Sequence, residues 1–169
     1  MRQIKINSQE GNEILTAQDV KDYVRIDTAS DDNLISKMII QARIWCENYI
    51  SRDIISKNRT YYLDRTNGIF DIPFAPVSSI EQVSIDGTIT ANYEILGLNN
   101  ESIELDQGSA EKVKITYVTE GINDELVKQA MLQLISTYYD NRANFMEGNF
   151  SEIPTSTIKI LTSYKAMFI

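Results

Sequence analysis

Residues 30–51 read SDDNLISKMIIQARIWCENYIS, and the reading of this stretch decides the fold. Ser30 followed by Asp31 and Asp32 is a helix-start signal, a capping hydroxyl with acids in the first turn. Leu34, Ile35, Met38, Ile39, Ala42, Trp45, Cys46, Tyr49 and Ile50 then recur at three- and four-residue spacing, while Lys37, Gln41, Arg43 and Glu47 fall largely between them. The stretch is a long amphipathic helix, from about Asp31 to Ser51. Trp45 and Cys46 lie on its apolar face, where core packing outweighs a reactive thiol because free cysteine is among the most buried residue types.

On the N-terminal side, Thr16-Ala17-Gln18-Asp19 opens a shorter helix. The threonine caps the first turn and Asp19 sits at the positive end of the helix dipole. Val20, Tyr23 and Val24 give about two turns, ending near Arg25-Ile26-Asp27. The first residues, Met1 to Asn7, lack an apolar signal core and cleavage site, so no export is expected.

On the C-terminal side the period switches at residue 59 from helical to alternating. Thr60 to Leu63 and Ile69 to Ile72 flank Asn67-Gly68 and read as a hairpin, with Asp64 to Gly68 as its turn. Val77 to Ile85 leads into a second turn at Asp86-Gly87 and back through Tyr93 to Leu96. Asn99-Asn100 turns the chain into Ser102 to Leu105, and Lys112 to Val118 closes the set. Asn123 then caps a second long helix bearing Leu126, Val127, Ala130, Met131, Leu134, Ile135, Tyr138 and Tyr139. A last helix starts at Pro154-Thr155-Ser156, with Ile158, Leu161, Tyr164 and Met167 on one face. The expected fold class is α+β: a mainly helical core of two long helices with a short first and a terminal helix, carrying a β-hairpin-rich insertion between the long helices. The expected organisation is one domain, with residues 1–58 and 119–169 as the helical core and 59–118 as the insertion.

Composition narrows the function. The chain has 169 residues, no histidine and one cysteine, Cys46. Ser-His-Asp and Cys-His catalysis, a histidine base and cysteine-cluster metal sites are excluded, leaving carboxylate, lysine or tyrosine chemistry. No apolar run approaches the roughly 20 residues of a membrane span. The net charge of −8 opposes nucleic-acid affinity, which rests on Lys and Arg neutralising phosphates. Residues 59–118 hold four bases against nine acids and carry most of the excess.

Several residues that suggest chemistry also have plain structural roles. Asp31-Asp32 with Asp27 suggests a divalent cation, but adjacent carboxylates before a helix serve as cap and dipole partners, and a hard cation needs about six oxygen ligands. The paired tyrosines Tyr61-Tyr62 and Tyr138-Tyr139 fit cross-strand and core packing better than base stacking. No catalytic, cofactor or metal site is assigned. Phe145, Met146, Phe150 and Ile153 are different: four apolar residues in a stretch that reads as a loop need a partner, because loops run over the surface. The terminal Met167, Phe168 and Ile169 join them, since an apolar chain end would otherwise fray into water. Either the loop folds back on the helices or it docks on a neighbouring subunit or another protein; docking is the expectation, with these seven as the contacts.

The order helix, long helix, β-insertion, long helix, terminal helix resembles phage head-tail connector proteins, also called head completion or adaptor proteins. Residues 15–27 (LTAQDVKDYVRID) and 30–35 (SDDNLI) are similar to that family's opening. Tyr49-Ile50-Ser51-Arg52 matches its first long-helix ending. Val113-Lys114-Ile115-Thr116-Tyr117 with Gly121, then Tyr139-Asp140-Asn141-Arg142, and the segment from Ile153-Pro154 to Tyr164, resemble its later elements. The resemblance spans about residues 14–165, and the long insertion is where the chain departs most from compact members.

The resemblance implies a non-enzymatic virion protein of the neck, made in the host cytoplasm. It implies a homo-oligomeric ring, usually twelvefold, below the portal protein, which lengthens the DNA channel and docks the next neck or tail-completion protein. DNA would pass without specific binding, with no cofactor and no membrane, and an acidic lumen would repel phosphates. The C-terminal region contributes the portal contact in that picture. Two other classes compete: a β-rich tail or receptor-binding module, and a carboxylate hydrolase with two acids at a defined separation.

Overall fold

The structure is a computed structural model that describes residues 2–141 and 153–166. The described residues form four helices and eight strands in two antiparallel sheets, an α+β fold. The chain divides into two compact units. One comprises Met1–Asn12 with Ile55–Gly121, and the other Glu13–Ile54 with Ile122–Ile169.

The helical unit contains α1 (Ala17–Val24), α2 (Asp32–Ile50), α3 (Glu125–Asp140) and α4 (Thr155–Thr162). A reciprocal cap starts α1. The Asp19 amide donates to Thr16 Oγ1 (3.2 Å), and the Thr16 amide donates to the Asp19 carboxylate (2.7 Å). The Thr16 hydroxyl and amide hold the Asp19 carboxyl below its ordinary value. The cap of α2 differs from the sequence expectation. Its N-cap residue is Asp31, while the Ser30 hydroxyl pairs with that of Thr28 (3.0 Å). Asp31 accepts the Tyr139 hydroxyl (2.6 Å), which ties the start of α2 to the end of α3. On α3 the cap is Asp124 rather than Asn123, its carboxylate accepting the Leu126 amide (2.8 Å).

Ile35, Ile39, Ala42, Cys46 and Ile50 of α2, Val127, Ala130, Met131, Leu134 and Ile135 of α3, Val20 of α1 and Leu161 of α4 are buried. α3 packs on α2 and α4. Two residues expected at the polar side of α2, Arg43 and Glu47, are buried as well, at 3% and 4% exposure. Arg43 Nε donates to both Glu13 carboxylate oxygens (2.9 Å each) and its Nη1 to Glu47 (2.9 Å). The other Glu47 oxygen accepts the Ile54 amide (3.0 Å), and Ile54 in turn accepts from the Ile122 amide (2.9 Å). A charge this deep is held only when paired and hydrogen-bonded, and here one guanidinium satisfies two carboxylates. Period-based reading misses this because an arginine and a glutamate four residues apart look like a solvated pair.

The β unit is a two-layer sandwich. The five-stranded sheet has the order β1 (Arg2–Gln9), β2 (Lys57–Thr66), β8 (Ala110–Thr119), β4 (Val77–Ile85), β5 (Thr88–Thr90). The three-stranded sheet has the order β3 (Ile69–Asp71), β7 (Ser102–Leu105), β6 (Tyr93–Leu96). Tyr61, Leu63, Val83, Val113, Ile115 and Tyr117 from the first share a buried cluster with Phe70, Ile103 and Leu105 from the second. The buried Tyr117 hydroxyl donates to the Pro73 carbonyl (2.7 Å), and the Arg59 guanidinium lies 3.8 Å over the Phe74 ring.

Three expectations are corrected here. The first residues form β1, paired antiparallel to β2 with Ile4 opposite Tyr61. Residues 60–63 and 69–72 are not a hairpin: β2 pairs with β1 and β8, whereas β3 pairs with β7 in the other sheet. Asn67-Gly68 carries the chain between layers. Gly68, at φ +112°, lies so close to Gly108 that a Cβ would stand 2.9 Å from its Cα. The Asp86-Gly87 turn does make a hairpin, but its second arm is β5, and Tyr93 to Leu96 pairs with β7 instead.

Register assigns each side chain to a face, because residues directly opposite on paired strands point the same way. On the outer face of the five-stranded sheet run the rows Gln3, Tyr62, Lys114, Ser84, Ile89 and Lys5, Thr60, Thr116, Gln82. On the outer face of the three-stranded sheet lie Ile69, Asp71, Glu94, Leu96, Ser102 and Glu104, with Glu94 directly opposite Glu104.

Three outcomes follow from these contacts. Arg43→Leu strips both carboxylates of their cation and lowers unfolding free energy by about 3–5 kcal/mol, read by chemical denaturation. Glu94→Lys turns a like-charge cross-strand pair into an opposite one and raises the free energy by about 0.5 kcal/mol. The Tyr164 hydroxyl donates to Asp124 (2.6 Å), which pushes the phenol up to about 12 and the Asp124 carboxyl down. The raised phenol contributes fully below its ordinary value of 10.0 and loses its contribution as pH rises through about 12. The lowered carboxyl contributes above 3.8 and loses its contribution as pH falls through its depressed value. Tyr164→Phe therefore lowers the melting temperature near neutrality and leaves it unchanged relative to wild type above pH 12.

Candidate interaction surfaces

Exposed apolar groups, charged faces and open depressions mark the described residues. No three of their His, Cys, Asp or Glu side chains converge as a metal site. Asp31 receives Tyr139, and Asp32 pairs with Lys21 (3.0 Å), so both carboxylates of the sequence candidate serve the start of α2. Cys46 is fully buried, and burial, with Glu47 adding to it, pushes its thiol up to about 12. It stays protonated and packed, as the helical spacing implied. Among the described residues no helix is long and apolar enough to cross a membrane.

Two concavities of the β unit are open depressions. One of about 590 Å³ is lined by Gln3, Ile4, Lys5, Thr60, Tyr62 and Lys114. Another of about 370 Å³ is lined by Arg2, Asp64, Arg65, Glu111 and Lys112. The second is largely neutralised from within, since Arg65 pairs with Glu111 (2.6 Å) and Lys112 with Asp86 (2.7 Å). Asp86 is held below and Lys112 above its ordinary value by that shared hydrogen bond. The first carries Lys5 and Lys114 with tyrosine, threonine and amide groups, and none of the residues that line it is acidic.

Of the seven sequence-derived contact residues, Ile153 is half-buried beside the start of α4. Phe145, Met146, Phe150, Met167, Phe168 and Ile169 lie outside the described residues. The structure adds surfaces that periodicity did not single out. Ile40 and Ile44 project from the exposed side of α2 at 43% and 46% exposure, as does Leu34 at 37%, although helical spacing groups Leu34 with the core-facing residues. Ile40 and Ile44 sit four residues apart, off the stripe that faces the core, and that offset is the signal by which they could have been found. Beside them Trp45 stacks on Tyr49, ring centroids 5.3 Å apart, and the Lys165 ammonium lies 5.1 Å from the Tyr49 ring. In the β unit, Ile69, Ile89 and Leu98 are largely exposed. Of the nine acids of the middle region, which the sequence shows only as an excess, register places three, Asp71, Glu94 and Glu104, on one face.

Comparison with known proteins sets these surfaces in context. The chain is similar to a chain in the neck of an empty gene transfer agent (GTA) particle computed with C6 symmetry, at 16% identity and TM-score 0.79, covering 99% of this chain and 97% of that one. It is similar to a chain in the virion of a native gene transfer agent particle, at 14% identity and TM-score 0.77, covering 98% and 96%. It is also similar to a chain in the neck of a native GTA particle computed with C12 symmetry, at 14% identity and TM-score 0.77, covering 99% and 97%. At these identities the likeness is one of fold, and it runs through both units. No curated protein matches. The family model described as phage gp6-like head-tail connector protein matches residues 15–114, from before α1 to within β8, more than half of the sequence. The chain belongs to the gp6-like head-tail connector family.

Proposed function

We propose that this protein is a ring-forming adaptor of the virion neck, seated below the portal, that lengthens the DNA channel and docks the next neck or tail-completion protein. The observation that carries the reading is the family match together with a fold shared, end to end, with chains of particle necks computed with C6 and C12 symmetry. Twelve copies is the ring size this supports. The role is structural rather than enzymatic. The described surface offers contact faces and open depressions, in keeping with a protein that works by assembly.

The charge supports the same reading. At −8 per copy, a ring of twelve carries a strongly negative field, and DNA passes through such a ring without specific binding because its phosphates are repelled. The apolar residues Phe145, Met146, Phe150 and Ile153, with Met167, Phe168 and Ile169, are the docking contacts of this adaptor, to the portal or to the adjacent copy. Synthesis takes place in the host cytoplasm before incorporation into the particle.

The test is assembly on the portal. Mass photometry and negative-stain imaging of the purified chain, alone and mixed with its portal, give closed rings stacked coaxially on the portal if the reading is right. A chain that stays monomeric in every condition, portal included, contradicts it. Phe145→Asp with Phe150→Asp abolishes the portal complex while leaving the circular dichroism spectrum and melting temperature of the isolated chain unchanged.

A further inference from the structure

A closed cyclic ring places a demand on each copy. Its contacts are heterologous, so every subunit needs two different surfaces that fit each other, facing in different directions. The β unit has such a pair. Its two sheets pack face to face on one core, so their outer faces point away from each other.

The two outer faces are opposite in charge. The paired positions of the five-stranded face carry Lys5 and Lys114 among Gln3, Tyr62, Thr60, Thr116 and Gln82, and none is a carboxylate. Both lysines are exposed, and neither has a carboxylate partner among the described residues. The three-stranded face carries Asp71, Glu94 and Glu104 and no lysine or arginine. Glu94 and Glu104 are exposed and stand directly opposite each other, a like-charge arrangement that destabilises an isolated sheet. Each face also has an exposed aliphatic group, Ile89 on the first and Ile69 on the second, at 67% and 58% exposure. Asp64, two residues along β2 from Tyr62, is an exposed acid at the margin of the five-stranded face. The rows around Lys5 and Lys114 thus form a basic patch within a chain of net charge −8, and the opposite face of the same sandwich holds carboxylates with no base.

We propose that these two faces dock on each other between adjacent copies: the Lys5 and Lys114 face of one β unit receives the Asp71, Glu94 and Glu104 face of the next, head to tail around the ring. The occupant of each face is a second copy of this chain. The contact places a lysine against the Glu94–Glu104 pair, which relieves the like-charge opposition once the ring closes, and it covers Ile69 and Ile89. It draws three of the nine acids of the middle region, Asp71, Glu94 and Glu104, into the subunit contacts. Because the pairing is ionic and solvent-accessible at its rim, it weakens as salt rises. This inference rests on the ring reading above and adds the surface by which the ring closes.

Charge reversal tests it on the full chain with its portal, read by mass photometry over a range of concentration and salt, with circular dichroism as the folding control. The double variant Lys5→Glu with Lys114→Glu has acids on both faces, and Glu94→Lys with Glu104→Lys has no acid pair to offer. Each alone needs about tenfold or more higher concentration to form rings. The quadruple reversal restores complementarity within one chain and assembles like wild type. An equimolar mixture of the two doubles also assembles, with the variants alternating around the ring. Rings that form as in wild type from either double overturn the proposal, including the case where only DNA retention or portal affinity changes. So do doubles that fold but are rescued neither by mixing nor by the quadruple reversal. If a double fails to fold, Lys114→Gln and Glu104→Gln replace the reversals, and ring formation with unaltered salt dependence in both overturns the proposal. A wild-type chain that forms no ring on its portal is a separate result and removes the ring reading itself.

Discussion

The helical unit is organised around one buried cation. Arg43 sits in the middle of α2 with its guanidinium shared between Glu13 and Glu47, and Glu47 uses its remaining oxygen to hold the Ile54 amide. Glu13 is where the chain enters this unit, Ile54 is where it leaves for the β unit, and Ile122, whose amide donates to Ile54, is where it returns. A single arginine thus gathers every passage of the chain into and out of the helices. The desolvation of three charges is unfavourable taken singly, and only the completed set offsets it, so the network specifies position more than it adds stability.

The β unit has a matching arrangement on its own side of those passages. The Glu10 and Gly11 amides both donate to the Ser56 carbonyl, the Ser56 hydroxyl donates to the Thr119 carbonyl, and the Lys57 amide donates to Thr119 Oγ1. Gly11 is required there because a Cβ would come within 2.7 Å of the Ser56 nitrogen. The strands that meet these points alternate in burial along Lys57–Leu63 and Val113–Thr119, and the sandwich core follows from that alternation. Two open faces are left over, and the difference in their charge is what a self-assembling protein can use. The exposed side of α2, with Leu34, Ile40 and Ile44, is a third surface that the helical unit leaves uncovered.

Much of this was legible in the residues. The four helices came from period and cap chemistry, to within a residue or two at most ends, and the strands Val77–Ile85, Ser102–Leu105 and Ala110–Thr119 came from alternation and turn residues. The family pattern was legible in Leu15 to Asp27, and the match beginning at residue 15 agrees. Strand pairing was not legible, because alternation says which residues share a face and nothing about which strand lies alongside. Asn67-Gly68 therefore read as a hairpin although it joins two sheets. β1 was missed because Ile4 and Ile6 are its only large apolar residues and both stay exposed, so burial, the cause of a strong alternating signal, is absent there. Arg43 and Glu47 escaped for the opposite reason: their burial depends on Glu13, thirty residues away, and no local window contains that partner.

The central claim, that copies of this chain close a ring between head and tail, is tested most directly by a cryo-electron microscopy reconstruction of the particle's neck. The account predicts one closed ring of this fold directly below the portal, coaxial with the DNA channel. A neck density that this fold does not fit, or its placement at the tail tip, would contradict it.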